Sequence, residues 1–202
     1  MTLPFRRISR LAATGVLAVA LLGGCTAMTA QNPSGKLSPV NAVADAGDDH
    51  VMLKGADVVA YFTQGKYVQG DAKFKSRYED VTFRFASAEH KALFDAAPQK
   101  YLPQYGGFCA NGIAYGIPWG GDADSFRLID GKLYIFGGQG SRDGWDLDVP
   151  LNMMRADGYW AGEVAGSNSF VQRSKRMVFR VPHYLSGEEL AKEVAAAKAK
   201  KN

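Results

Sequence analysis

Two hydrophobic periods alternate along the chain, and each predicts a different element. Val58–Phe62, VVAYF, is an unbroken β-branched and aromatic run closed by the turn residues TQGK, and it reads as a strand. In RYEDVTFRFAS the period is two. Val81, Phe83 and Phe85 alternate with Thr82 and Arg84, so the pattern buries the first set and leaves Thr82 and Arg84 in water. Glu79-Asp80 supplies the turn before it, making a hairpin with the residues that end at Tyr78. The period then lengthens. Ser87 is placed to cap a helix, and Glu89 puts negative charge in its first turn. In AEHKALFDAA, residues His90, Leu93, Phe94 and Ala97 fall at i, i+3, i+4 and i+7, an apolar stripe, while Lys91 and Asp95 pair on the wet face. Pro98 stops that helix.

Downstream, Asp130-Gly131 sits between alternating apolar runs in DSFRLIDGKLYIF, a second hairpin. Residues 143–157 are helical in part, with Pro150 opening a second turn; Trp145, Leu147, Met153, Met154 and Trp160 supply core bulk. The glycine run at 137–144 reads as a surface loop, without the lysine spacing of a phosphate loop. RMVFRVPHY reads as one short strand, and Ser186 with Glu189 has capping-box spacing ahead of a last helix with a thin stripe, Leu190, Val194 and Ala197. These elements predict an α+β fold: a small single domain of short antiparallel hairpins packed with two or three helices. The pattern divides the chain into a leader (1–24), a tether with two prolines and no periodicity (25–48), the folded domain (49–160) and a basic extension of strand plus helix (161–202).

Charge sharpens that division. The chain has 24 Lys+Arg against 20 Asp+Glu, but residues 1–24 hold three arginines and no acid, so the remainder is nearly balanced at 21 against 20. Residues 170–202 carry eight of the bases and three of the acids. A basic end of this kind suits anionic headgroups or an acidic envelope partner; its plainer reading is a solvated surface. No nucleic-acid module is present in the pattern. The leader has Arg6, Arg7 and Arg10, then an apolar run, Leu11–Leu22, too short to span a bilayer. It ends in Leu22-Gly23-Gly24-Cys25, which resembles the bacterial lipobox. That resemblance implies cleavage before Cys25, a diacylglycerol on its thiol, and a membrane anchor. Thr26 after it implies an outer-membrane lipoprotein facing the periplasm.

With Cys25 acylated, Cys109 has no partner in the chain. It follows Gly106-Gly107, which permit a tight left-handed turn. The segment from Asp57 to Gly116 resembles the YHS domain in its exported bacterial form. The resemblance rests on Asp57–Phe62, Phe85-Ala86-Ser87, Phe94 with Pro98 and Tyr101, Tyr105–Ala110, Asp130–Tyr134 and Trp160. The family implies a three-cysteine metal site, and here Ala60, Ala86 and His90 stand at those three positions. What it leaves is His90, with Cys109 nearby, as ligands for copper, zinc or haem, completed by His50, Asp57, Glu89 or water. The same two residues also read as a buried structural pair, or as a thiolate–imidazolium pair for nucleophilic chemistry. The expectation is a non-enzymatic, lipid-anchored binding module for a metal or metal complex.

Overall fold

A computed structural model describes residues 37–200. Cys25 and the leader lie outside the described residues. The fold is α+β, as expected, but its boundaries differ. Ser38, Val40 and Ala42 are buried, so residues 37–48, expected as tether, belong to the domain. β1 (Ala42–Asp45) and β2 (Asp48–Met52) open a four-stranded sheet of order β1-β2-β4-β3, with β3 at Asp71–Tyr78 and β4 at Val81–Phe85. Its pairs are antiparallel except β2 with β4, which run parallel through Val51 opposite Thr82. The β3–β4 turn is the expected one, with Glu79 and Asp80 both at positive φ.

Val58–Phe62 is not a strand. The side chain of Asp57 accepts the N–H groups of Val59 (2.9 Å) and Ala60 (3.3 Å), which starts a helix, α1 (Ala60–Gln64), ended by Gly65 at φ 64°. A local cap thus overrides the β-propensity of the run. Thr82 and Arg84 are also not in water; both are buried. The β1–β2 connection covers them. The Thr82 hydroxyl donates to the Asp49 carbonyl (3.0 Å), and the Arg84 guanidinium pairs with Asp45 and with Asp48 (3.0 Å).

Helix α2 (Ala88–Ala96) begins as expected at Ser87, whose hydroxyl accepts the His90 N–H, and Lys91 pairs with Asp95 across its wet face. Only Phe94 of the expected stripe is buried; Leu93 and Ala97 are exposed. A short helix α3 (Pro98–Tyr101) follows, then α4 (Ala110–Ile113) and the second hairpin, β5 (Asp122–Ile129) with β6 (Lys132–Phe136), turning at Asp130-Gly131. β6 is the septum of the molecule. Leu133 and Ile135 face one core, with Tyr61, Phe83, Phe85 and Phe94. Tyr134 and Phe136 face the other, with Tyr105, Phe108, Ile113 and Trp145. A strand buried on both faces reads as a continuous apolar run, which KLYIF is.

The glycine run is not a loop. It carries helix α5 (Gln139–Trp145). Asp148 then caps α6 (Val149–Tyr159), with Pro150 in its first turn as expected. Of the expected core bulk, Trp145 is fully buried and Met153 and Trp160 are half-buried, whereas Leu147 and Met154 lie on the surface. The expected strand at 176–184 is absent. Asn168 accepts the N–H groups of Phe170 and Val171 and starts α7 (Ser169–Val178). The last helix, α8 (Gly187–Ala199), has the full capping box of Ser186 and Glu189 and docks through Leu190 and Val194. Fully burying two such side chains contributes about 1.5–3 kcal/mol each, so the extension is part of the fold.

Two ion-pair clusters hold the outer elements and predict an acid response. Hydrogen bonds from Lys75 and Arg84 hold the Asp48 carboxyl below its ordinary value. Burial works to raise the Glu163 carboxyl, but hydrogen bonds from Lys175 and Gln172 and the charges of Arg176 and Lys175 outweigh it, so it too is lowered. A carboxylate lowered in the fold stabilises it fully above its unfolded pKa, and that contribution disappears as pH falls through the folded value. The urea midpoint is therefore expected to be level from pH 7 to about 5 and to fall below about 4.5. Glu163→Gln should flatten part of that slope; a midpoint level down to about pH 3 would refute the assignment.

Candidate functional site

The segment that presents Cys109 is held in an unusual backbone. Tyr105, Gly106 and Gly107 are all left-handed, at φ 53°, 60° and 76°. A Cβ on Gly106 would lie 2.3 Å from the Pro39 carbonyl oxygen, so the segment at Pro39 packs where only glycine fits. Asn41 clasps the turn, its side-chain amide donating to the carbonyls of Gly107 (3.0 Å) and Gly121 (3.2 Å). Cys109 emerges as the cap of α4. Its sulfur accepts the Gly112 N–H (3.3 Å) and shares a hydrogen bond with the Ser141 hydroxyl (3.0 Å). Its own N–H donates to the Trp119 carbonyl (2.9 Å).

Around that thiol lies a groove of about 790 Å³. It is lined by Cys109, Asn111, Tyr115 and Trp119, by Gly137, Gly140, Ser141 and Asp143, and by Tyr184, Leu185, Leu190, Ala191 and Val194. Leu190 packs onto α5 because α5 has glycine at its crossing point. A Cβ on Gly144 would come within 2.6 Å of the Leu190 methyls. An ion pair of Asp143 with Lys198 (2.8 Å) ties α5 to α8 at the rim. Burial pushes the Tyr115 phenol above its ordinary value, so it enters the groove as a neutral hydroxyl. Most of the lining is aromatic and aliphatic, with a few polar groups among it. That is the usual make-up of a small-molecule site.

His90 lies elsewhere. Its Nδ1 bonds the fully buried Asp57 carboxylate (2.6 Å), and its Nε2 contacts the Thr63 hydroxyl (3.2 Å) and the Gln64 amide (3.5 Å). Asp57 also accepts the Ala86 N–H (2.8 Å). The imidazole therefore ties α2 to the start of α1, with both nitrogens engaged. It shares no hydrogen-bond partner with Cys109. The donor set does not fit a chelated transition-metal ion: among the described residues no group of three or more His, Cys, Asp or Glu is placed to hold one. His183, too, bonds protein, its Nε2 donating to the Ala114 carbonyl (2.9 Å). The structure supports His90 and Cys109 as separately satisfied residues, not as one site.

Sequence reasoning singled out Cys109 but missed Ser141, Trp119, Tyr184 and the α8 residues that complete the groove. The one available signal was the stripe Leu190–Val194, which needed a surface to dock on. Comparison of the chain with family models, with curated proteins and with solved structures finds no match to any of them.

Proposed function

We propose that this chain is a lipid-anchored, non-enzymatic binding module of the bacterial cell envelope, and that the groove between α4, α5 and α8 takes an aromatic or branched apolar group of its ligand. The observation that carries the reading is the groove itself: a largely apolar trough of ligand size whose lining includes a thiol, a hydroxyl and a carboxamide. Nothing in the hydrogen bonding of Cys109 supplies a base. Its sulfur meets only a hydroxyl and a backbone N–H, so the activated nucleophile of thiol catalysis is missing. The lipobox-like Cys25, followed by Thr26, supports an outer-membrane anchor on the periplasmic side. Among the described residues no helix is long and apolar enough to cross a membrane. The likeness of residues 57–116 to the YHS domain supports a binding role, but the metal that likeness implies finds no ligand set among the described residues.

The test uses 1-anilinonaphthalene-8-sulfonate, an aromatic probe that fluoresces in apolar sites. One saturable site is expected. Ala191→Trp fills the groove from an exposed position of α8 and should weaken probe binding about tenfold or more, equivalent to about 1.4 kcal/mol. The circular dichroism spectrum should not change. Unaltered probe affinity in a folded Ala191→Trp variant would overturn the assignment.

A further inference from the structure

Helix α7 is built inside out. Phe170, Val171, Met177 and Val178 lie at i, i+1, i+7 and i+8, one face of a helix, and that face points to solvent. Val171 is 62 % exposed, Met177 65 % and Val178 74 %, and Phe179 extends the patch at 69 %. A helix on a protein surface ordinarily turns such a stripe inward. Here the polar face is inward and held there. Gln172 is buried, donating to the Gly116 carbonyl (3.0 Å) and to Glu163 (3.1 Å). Arg173 donates to the Pro118 carbonyl (2.9 Å), and Arg176 pairs with Glu163. These bonds fix the rotation of the helix, so the apolar face has nowhere to go within the described residues.

We propose that this face of α7 rests in the interfacial layer of an anionic bilayer, the one that the lipid on Cys25 would enter. The proposal rests on the reading of Cys25 as an anchor, and two further observations favour a bilayer over a protein partner. First, the anchored end of the chain enters the domain beside this helix: the Gly166 N–H donates to the Ser38 carbonyl (3.1 Å), three residues before α7 begins. Leu37 follows Cys25 by twelve positions, which even fully extended reach no further than about 40 Å. The tether thereby keeps the domain within about 40 Å of the membrane, and its point of attachment lies beside α7. Second, the charges match. Arg173 and Arg176 turn inward, but Lys175, which pairs with Glu163, and Arg180 are exposed beside the stripe, and no acid lies between residues 164 and 187. An apolar stripe flanked by cations is the make-up of a helix that lies in the headgroup region, its apolar side chains in the acyl boundary and its cations among the phosphates. Lipid on Cys25 alone gives one attachment; α7 adds a second and orients the domain.

The test uses the processed full-length chain in vesicles of phosphatidylethanolamine and phosphatidylglycerol, with Cys109→Ala as background. A nitroxide is placed on Val178→Cys, or on Lys192→Cys of α8 as a reference on a solvated face. Collision with oxygen, which concentrates in lipid, is compared with collision with a water-soluble nickel complex. At position 178 the vesicles are expected to cut nickel collisions about fivefold or more while oxygen collisions rise, and at position 192 neither should change. Unchanged nickel collisions at 178 overturn the proposal. So does loss of both kinds of collision, which would mean that protein, a second copy or a partner, covers the face. Mass spectrometry and flotation keep the two readings apart. An acylated chain that floats, with position 178 still in water, refutes the α7 contact and leaves the anchor standing. A chain without acyl mass that does not float refutes the anchor, and the orientation falls with it.

Discussion

Asp57→Ala is expected to cost the fold about 3–5 kcal/mol, a large part of the 5–15 kcal/mol that holds a domain of this size. The carboxylate is fully buried and serves four donors: the N–H groups of Val59, Ala60 and Ala86, and Nδ1–H of His90. Alanine leaves all four without an acceptor in a site that water does not reach, and an unsatisfied buried donor costs about 1–3 kcal/mol. The damage spreads across three elements, because those donors belong to α1, to the end of β4 and to α2. Asp57→Asn should cost less. It keeps one acceptor oxygen, and the imidazole can change tautomer to accept from the new amide. His90→Ala should cost less again, since the carboxylate retains three backbone donors. Urea unfolding followed by circular dichroism gives the order. A loss for Asp57→Ala below about 1 kcal/mol would show that the carboxylate is not the junction described.

That junction also marks where the sequence stopped being legible. Features set by residues within one turn of each other were readable. The turns at Glu79-Asp80 and Asp130-Gly131, the cap at Ser87 and the capping box at Ser186 stand where local chemistry puts them. Features set by distant partners were not. One local cap was missed as well, because VVAYF has strand propensity, yet the carboxylate just ahead of it starts a helix. Thr82 and Arg84 alternate like solvent-facing residues, yet Asp45, Asp48 and Asp49 cover them. Asp45 and Asp48 sit in a stretch whose prolines and lack of period look like tether. RMVFRV looks like a strand, but Met177 and Val178 end a helix with their side chains exposed, Phe179 caps it and Val181 is buried, an arrangement no burial pattern anticipates. The groove was the least legible feature. Its walls come from residues near 110, 140 and 190, and no period joins segments so far apart; only Cys109 stood out, as the sole free thiol among the described residues. The glycines at 137–144 looked like slack, but Gly144 is where α8 must approach α5 closely.

Trp145→Ala is expected to be comparably destabilising, by about 3–5 kcal/mol, and to show that the two cores unfold together. Trp145 is fully buried in the second core, its ring centroid 5.8 Å from that of Tyr134 and 5.7 Å from that of Phe136. Truncation removes an aromatic side chain from between β6 and α5 and leaves a cavity that close-packed neighbours refill only in part. Among the described residues its indole N–H has no partner, so Trp145→Phe, which keeps the ring contact and deletes that unpaired donor, should cost much less than alanine. Asp57 lies in the other half of the molecule, beyond the alternate face of β6. If Leu133 and Ile135 bind that half as tightly as Tyr134 and Phe136 bind this one, neither half survives the loss of the strand. Asp57→Ala and Trp145→Ala should then each shift one common unfolding transition, seen alike by far-ultraviolet circular dichroism and by the fluorescence of Trp119 and Trp160. Two separated transitions in either variant would mean that β6 does not couple the cores. The consequence reaches the groove, because α5 carries both Ser141 and Gly144 and is seated by Trp145. A loosened Trp145 site should therefore weaken probe binding at urea concentrations that still leave the protein folded.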